Sequence, residues 1–175
     1  MKHPIKHRYT DAVLFEADIP DDTPSGLAVR AALERAVNAR ANLAGAYLAG
    51  ANLAGAYLAR ADLAGAYLAR AYLAGADLGG GLKLIGKRPV FQVGPIGSRS
   101  DLFVAYITDQ GLRFDAGCKR QITREKFEEL LAETHGDNEH AREYRAALAL
   151  IDVHAELWTP TATSQAGKAP EVEAA

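Results

Sequence analysis

The chain has 175 residues, of which 49% are hydrophobic and 24% charged, and its formal net charge is −2 at pH 7. This length fits one domain or two small ones, and the apolar content is sufficient for a buried core. A charge so close to zero predicts neither non-specific binding to nucleic acid nor attraction to an anionic membrane. A single cysteine, Cys118, excludes an intramolecular disulfide framework. With no secretory leader and no long apolar span in the sequence, we expect a cytoplasmic protein that makes no contact with a membrane.

The N-terminal stretch is polar and proline-containing, which predicts an N-terminal arm over residues 1–25. One apolar patch within it, residues 12–15, is typical of an edge strand. From Ser25 onward, apolar residues recur at helical spacing, and Ser25 is available as an N-cap. We therefore predict a capping helix over residues 26–40, directly before a region of repeats.

Residues 41–80 form eight consecutive pentapeptides of the type Ala-(Asn/Asp/Tyr)-Leu-X-(Gly/Arg), with a leucine at the third position of every one. An alanine-rich helix is the competing interpretation. On a helix, however, a five-residue step would rotate each leucine by about 140° from the last and build no apolar face. Each glycine would also destabilise that helix by roughly 1 kcal/mol. The pattern therefore favours a repeat structure.

This strict period of alanine and leucine resembles the pentapeptide-repeat family. The resemblance implies a short right-handed quadrilateral β-helix, with one pentapeptide on each side, four in each coil, and about two coils in all. It also implies that the leucines and the alanines two residues earlier point inward. Three glycines at 79–81 mark the end of this β-solenoid.

After the glycines the composition becomes that of a small α+β domain, which we place at residues 82–158. Short apolar runs predict strands at 82–84, 90–93, 102–107 and 112–114, the last two joined as a hairpin. Two C-terminal helices follow this antiparallel sheet, the first capped by Thr123 and ended by Gly136, the second beginning near Asp137-Asn138. The remaining residues, 159–175, are rich in Pro, Thr and Ala and predict a disordered tail.

Four tyrosines occupy the outward, second position of the repeats: Tyr47, Tyr57, Tyr67 and Tyr72. With four repeats to a coil, Tyr47 should lie one coil below Tyr67, and the other two on different sides. Aromatic rings with a polar tip suit a protein interface, so we predict a protein-binding or self-association face, with a homo-oligomer as one outcome. The alternatives are that the rings merely cover the solenoid wall or form a stacking platform for bases.

Two loops of the C-terminal region carry groups suited to an anion. The first contains Gly97, Ser98, Arg99 and Ser100, which together offer backbone amides, two hydroxyls and a guanidinium. The second holds two cations, Lys119 and Arg120. The first loop lacks the P-loop and dinucleotide-binding patterns, and a plain glycine-proline turn is its alternative interpretation. We predict all six as ligand-binding residues.

The segment between the two helices contains His135 and His140 with a carboxylate nearby, which raises the question of a metal. Asp137 and Asn138 are ordinary helix-capping residues, and the histidine spacing is not that of a zinc-protease helix. We therefore predict no metal site and no cofactor, and assign both histidines to ligand binding. Cys118 should be buried rather than reactive, since a nucleophile would need a histidine close to it in space.

Residues 97–100, 117–120 and 135–144 together resemble the C-terminal segment of some bacterial and phage pentapeptide-repeat proteins, a resemblance that brings no assigned activity. Other members of the family are long acidic rods that resemble B-form DNA and block type II topoisomerases. A DNA mimic needs many carboxylates along a long face, because the duplex carries one charge per ~1.7 Å. These repeats have only Asp62 and Asp77, opposed by two arginines.

Together these patterns predict a non-catalytic binding protein rather than an enzyme. By analogy with phage accessory proteins, it would block or sequester a host protein or a small anionic ligand such as a nucleotide signal, and so inhibit host defence in the bacterial cytoplasm. No direct contact with nucleic acid is expected. Two alternatives remain open: a DNA-mimic inhibitor of a type II topoisomerase, and an enzyme that uses Cys118 and a histidine.

Overall fold

The computed structural model describes residues 1–160. Its elements in chain order are β1 (Lys2–Lys6), β2 (Val13–Asp18), α1 (Ser25–Asn38), β3 (Val90–Ile96), β4 (Asp101–Thr108), β5 (Gly111–Ala116), β6 (Lys119–Ile122), α2 (Arg124–His135) and α3 (Glu139–Trp158). The strands form a two-stranded sheet, β1-β2, and a four-stranded sheet in the order β3-β4-β5-β6, with all pairs antiparallel. Most of the predicted disordered tail, residues 161–175, lies outside the described residues.

The N-terminal segment expected as an arm forms a hairpin. β1 pairs with β2 from Lys2 opposite Asp18, so the predicted edge strand has a partner that the sequence did not indicate. Helix α1 follows with Pro24 as its N-cap and without a side-chain capping bond. The predicted Ser25 cap is therefore wrong by one residue, because Ser25 is already part of the helix and its hydroxyl caps no amide.

The repeats are held by isolated parallel bridges between residues twenty positions apart. The bridged pairs are Asn42 with Asp62, Tyr47 with Tyr67, Asn52 with Tyr72, and Tyr57 with Asp77. The chain therefore returns to the same position after every four pentapeptides, and its second pass stacks on its first. Of the third-position leucines, all are buried except Leu68, which is partly exposed. The predicted inward direction of the leucines is thus observed, and their burial is the main stabilising contribution of this segment.

The second position of a repeat determines how its turn is closed. Where this residue is Asn or Asp, its side-chain oxygen accepts a hydrogen bond from the amide two residues later, as Asn42 does from Ala44 at 2.9 Å. Asn52, Asp62 and Asp77 make the same contact. This local bond is the reason that these residue types suit the turn.

Other chain segments cover both ends of the repeats. On the first coil, the Tyr47 amide donates to the Lys6 carbonyl at 2.8 Å, and Arg30 of α1 donates to the Ala54 carbonyl at 2.6 Å. On the second coil, the Gly75 amide donates to the carbonyl of Leu84, which is fully buried. The strand predicted at 82–84 is accordingly reduced to isolated bridges, because these residues pair one by one with the coil and with β4.

The four-stranded sheet lies between the repeats and the C-terminal helices. On β4, Val104 and Tyr106 pack in the cluster that contains the repeat leucines, whereas Phe103 and Ala105 pack with α2 and α3. Side chains alternate across a strand, so one strand serves two cores. The predicted β4-β5 hairpin is present, with a turn between Thr108 and Gly111.

Both C-terminal helices begin at residues with a capping side chain. The Thr123 hydroxyl accepts from the Lys126 amide, and the side-chain oxygen Oδ1 of Asn138 accepts from the Ala141 amide. The first helix ends at Gly136, as predicted. Within the described residues, no helix combines the length and the apolar character that crossing a membrane would require.

Candidate functional site

A pocket of ≈ 330 Å³ opens in the C-terminal region where the β3-β4 loop, the β5-β6 turn and the end of α2 meet. Its polar lining residues are Ser98, Arg99, Cys118, Lys119, Thr134, His135 and Tyr144. Apolar side chains of the helix core, among them Phe127 and Leu131, complete the wall. A few polar groups over an apolar wall are typical of small-molecule sites, and the volume is at the lower end of their range.

The β3-β4 loop is anchored to α3 at Gly97. The Gly97 amide donates to the Glu143 carboxylate at 2.7 Å, and the ring of Tyr144 lies so close that any Cβ at this position would collide with it. Gly97 also has a φ of +70°. Glycine is thus required here to bring the loop against α3, while Ser98 and Arg99 face the pocket.

Arg99 lies along the β5-β6 turn. A Cβ built on Gly117 would be 3.3 Å from Cδ of Arg99, so the absence of a side chain at Gly117 leaves room for the arginine. This contact brings Arg99 to the β5-β6 turn, and Cys118 and Lys119 of that turn line the same pocket. The two loops that the sequence singled out separately therefore meet.

Tyr144 contributes a hydroxyl to the pocket. Burial, and then the carboxylates of Asp101 and Glu143, raise the pKa of Tyr144, whereas Arg99 opposes the shift. The phenol therefore stays protonated at neutral pH and can donate a hydrogen bond. No local signal in the sequence identified the side chain of Tyr144 as part of a site.

His135 is the last residue of α2, and its ring stacks on that of Tyr144 with 6.3 Å between the centroids. The ring of His140 approaches it edge-on at 5.4 Å. His140 does not line the pocket itself but supports the side chain that does.

Of the eight predicted ligand-binding residues, Ser98, Arg99, Lys119 and His135 line the pocket. Gly97, Ser100, Arg120 and His140 do not. Arg120 is directed elsewhere, because its guanidinium donates to the Gly117 carbonyl at 2.6 Å and lies 3.8 Å from Asp115. Ser100 closes the loop behind the pocket through its amide, which donates to the Gly97 carbonyl at 3.0 Å.

The expected burial of Cys118 is wrong. The residue occupies the two-residue turn between β5 and β6 and is exposed, since a turn that projects from the sheet cannot bury its side chains. Its thiol faces the same pocket as His135.

The charged side chains that line this pocket are all cationic. Arg99 and Lys119 are cationic, and no aspartate or glutamate is among the lining residues. Across residues 1–160, no group of three or more His, Cys, Asp or Glu side chains is arranged to hold a metal ion. The arrangement is thus chemically suited to an anion.

The repeat tyrosines lie where the period predicts. Tyr47 and Tyr67 are stacked in successive coils with 5.6 Å between ring centroids, whereas Tyr57 stacks with Asp77 and Tyr72 with Asn52. All four are substantially exposed. Their role as a protein interface stays a prediction.

The parallel bridges, the twenty-residue stacking and the buried leucines are features typical of a β-helix. Residues 41–80 match the pentapeptide-repeat family in eight copies, so this part of the chain is a pentapeptide-repeat segment. The match ends at residue 80, and the resemblance of the C-terminal segments to those of other such proteins stays a prediction. The chain has no match among curated proteins or among solved structures.

Proposed function

We propose that this protein is a non-catalytic binder that captures a small anionic ligand, of the size of a nucleoside monophosphate, in the C-terminal pocket. The observation that supports this most is the convergence of Arg99, Lys119 and His135 on a cavity of ≈ 330 Å³ without a carboxylate in its wall. Capture of such a ligand would remove a nucleotide signal from a host protein. On this proposal the protein acts in the cytoplasm, as a phage-encoded inhibitor of host defence.

Each lining group has a distinct part in the proposed complex. The planar guanidinium of Arg99 can hold two oxygens of a phosphate at once, whereas Lys119 supplies a point charge. The hydroxyls of Ser98 and Tyr144 donate further hydrogen bonds to the anion. The apolar wall around Phe127 is left for the uncharged part of the ligand.

In this proposal the repeats are a scaffold. They form a right-handed quadrilateral β-helix of about two coils over residues 41–80, capped by the helix at 26–40 and attached to the α+β domain at 82–158. The exposed tyrosine pair, Tyr47 and Tyr67, is the proposed contact for a partner protein or a second copy of the chain.

Thermal denaturation with a panel of nucleoside monophosphates, and with the uncharged nucleosides as controls, tests the proposal. A ligand that binds only the folded protein at 100 times its Kd stabilises it by about 2.7 kcal/mol, which is readily seen as a higher Tm. Arg99→Ala should abolish the shift. Arg142→Ala removes the same charge from an exposed position on α3 and should leave it unchanged. No shift with any anion for the unaltered protein, or an equal loss in both variants, would contradict the proposal.

An enzyme is the second candidate, because exposed Cys118 and His135 line one pocket. A thiol becomes a nucleophile when a neighbouring base takes its proton. Mass spectrometry of a ligand incubated with the protein separates the two functions. A binder returns the ligand unaltered, and Cys118→Ala keeps the thermal shift; an enzyme converts the ligand, and Cys118→Ala stops the conversion.

We place the DNA-mimic alternative last. The side chains of Asp62 and Asp77 already accept hydrogen bonds from their own turns, at 3.1 and 2.6 Å, so neither is an unengaged surface carboxylate. Normal supercoiling by a type II topoisomerase in the presence of excess protein would exclude this alternative.

A further inference from the structure

A second cleft, of ≈ 610 Å³, lies where the N-terminal hairpin, the repeats and the segment before β3 meet. Its lining contains four cationic residues, Arg8, Arg70, Lys87 and Arg88, and no carboxylate. Within residues 1–160, none of the four forms an ion pair. Because like charges repel, an anion bound among these four side chains would relieve their mutual repulsion.

Aromatic rings, rather than carboxylates, hold two of these arginines in place. The Arg8 guanidinium donates to the Gly65 carbonyl at 3.1 Å and lies 5.0 Å from the ring centroid of Tyr67. The Arg88 guanidinium lies 4.9 Å from the ring centroid of Trp158. A cation-π contact fixes a guanidinium without neutralising it, so the charge remains available to a ligand.

The backbone at Arg70 adopts a conformation that favours glycine. Arg70 occupies the fifth position of its repeat with a φ of +59°, a conformation that glycine adopts freely and that L-residues adopt only at a cost. Most other repeats have glycine at this position, including Gly50 directly below it in the first coil. The arginine therefore places a cation in the cleft at the expense of backbone stability.

We propose that this cleft binds an oligophosphate, that is, a chain of two or more linked phosphates. Several cations spread along one cleft match several successive phosphate charges better than a single anion. Arginine forks also suit phosphate oxygens in particular. The one amide side chain in the lining, Gln92, is already bonded to the Gly65 amide at 2.9 Å and is not available to read a base. The cleft thus recognises the phosphate chain and is separate from the pocket at Arg99.

Isothermal titration of the full chain with inorganic tripolyphosphate at low ionic strength tests this proposal. Arg70→Gly restores the residue that the backbone favours, so the variant should fold at least as well as the unaltered protein. It should nevertheless bind tripolyphosphate at least about tenfold more weakly, and Lys87→Ala should weaken binding as well. Inorganic phosphate should bind more weakly than tripolyphosphate to the unaltered chain.

Arg60→Gly is the matched control. Arg60 has the same position in its repeat and a φ of +61°, but it lines a different cleft together with Asp62. Arg60→Gly changes the net charge and the backbone preference in the same way as Arg70→Gly, but it should leave the affinity for tripolyphosphate unaltered. Three results would overturn the proposal: no binding by the unaltered protein, equal weakening in the Arg60 and Arg70 variants, or loss of binding on Arg99→Ala, which would place the anion in the other pocket.

Discussion

The repeat segment and the C-terminal α+β region bury their apolar residues in different ways. In the repeats, the third-position leucines, all buried except Leu68, form one core. Parallel bridges between residues twenty apart hold the stacked coils around it. In the C-terminal region, the core is a cluster of aromatic rings brought together from distant elements, with Phe103 stacked on Phe114 and Phe127. The first arrangement follows from a period in the sequence, whereas the second depends on tertiary packing.

The two regions nevertheless share a boundary. Val104 and Tyr106 belong to the cluster of the repeats although they lie on β4, and Leu84 is fully buried between the two. A continuous apolar contact of this kind couples the stability of the regions. We therefore expect the described chain to unfold as one cooperative unit, and the substitutions below test that expectation.

Phe114→Ala should have the largest effect. The ring is fully buried and stacks on Phe103 with 5.4 Å between centroids, so truncation should lower the free energy of unfolding by about 3–5 kcal/mol. Chemical denaturation followed by Trp158 fluorescence and by far-ultraviolet circular dichroism measures this. Both signals should move together. If the fluorescence transition shifts while the dichroism of the remaining structure does not, the two regions unfold independently.

Leu53→Ala is the corresponding substitution in the repeats. Leu53 is fully buried, and its removal should destabilise by about 2–5 kcal/mol. Trp158 is in the C-terminal region, but the denaturation midpoint that its fluorescence reports should fall together with the midpoint of the repeats. Leu68→Ala is the control, because this leucine is partly exposed and its loss should have a smaller effect. Equal losses of stability in the two variants would show that the degree of burial of a repeat leucine does not determine its contribution to stability.

The same contrast explains what could be predicted from the sequence. The period fixed the inward leucines and the stacking of Tyr47 on Tyr67, because each depends only on positions within the repeat. The β4-β5 hairpin and the cap at Thr123 likewise depend on nearby residues. The pairing of β1 and the exposure of Cys118 could not be predicted, since they depend on partners and turns that local pattern does not specify. For the candidate site, the loops were identified, but Tyr144 enters it only through its packing against Gly97.

Gly50→Ala separates the backbone requirement of the repeats from their packing. Gly50 has a φ of +67°, and a Cβ built there meets no atom within 4 Å, so only the left-handed conformation opposes a side chain. We expect a loss of about 1–2 kcal/mol, measured as a lower midpoint of denaturation. Gly26→Ala is the matched control in α1, where a Cβ also meets nothing and φ is not positive. It should stabilise by about 0.4–1 kcal/mol, and a loss there would contradict the conformational explanation.

Asp115→Asn tests the boundary itself and should have the smallest effect, on the order of 1 kcal/mol or less at neutral pH. Burial raises the pKa of Asp115 above 3.8, and the bonds from the Gln121 amide and the Tyr106 hydroxyl oppose this shift. The folded protein therefore binds this proton more tightly than the unfolded chain, and stability falls as the pH rises from 3.8 through the folded pKa. Asparagine does not titrate, so the variant does not lose this stability. Its free energy of unfolding relative to that of the unaltered protein should therefore rise across that pH window. Asp77→Asn preserves a turn bond of the kind that Asn42 makes and leaves Asp115 buried, so it should keep the pH dependence. If the free energy of unfolding differs between the Asp115 variant and the unaltered protein by the same amount at every pH, desolvation of this carboxylate does not contribute to the pH dependence of stability.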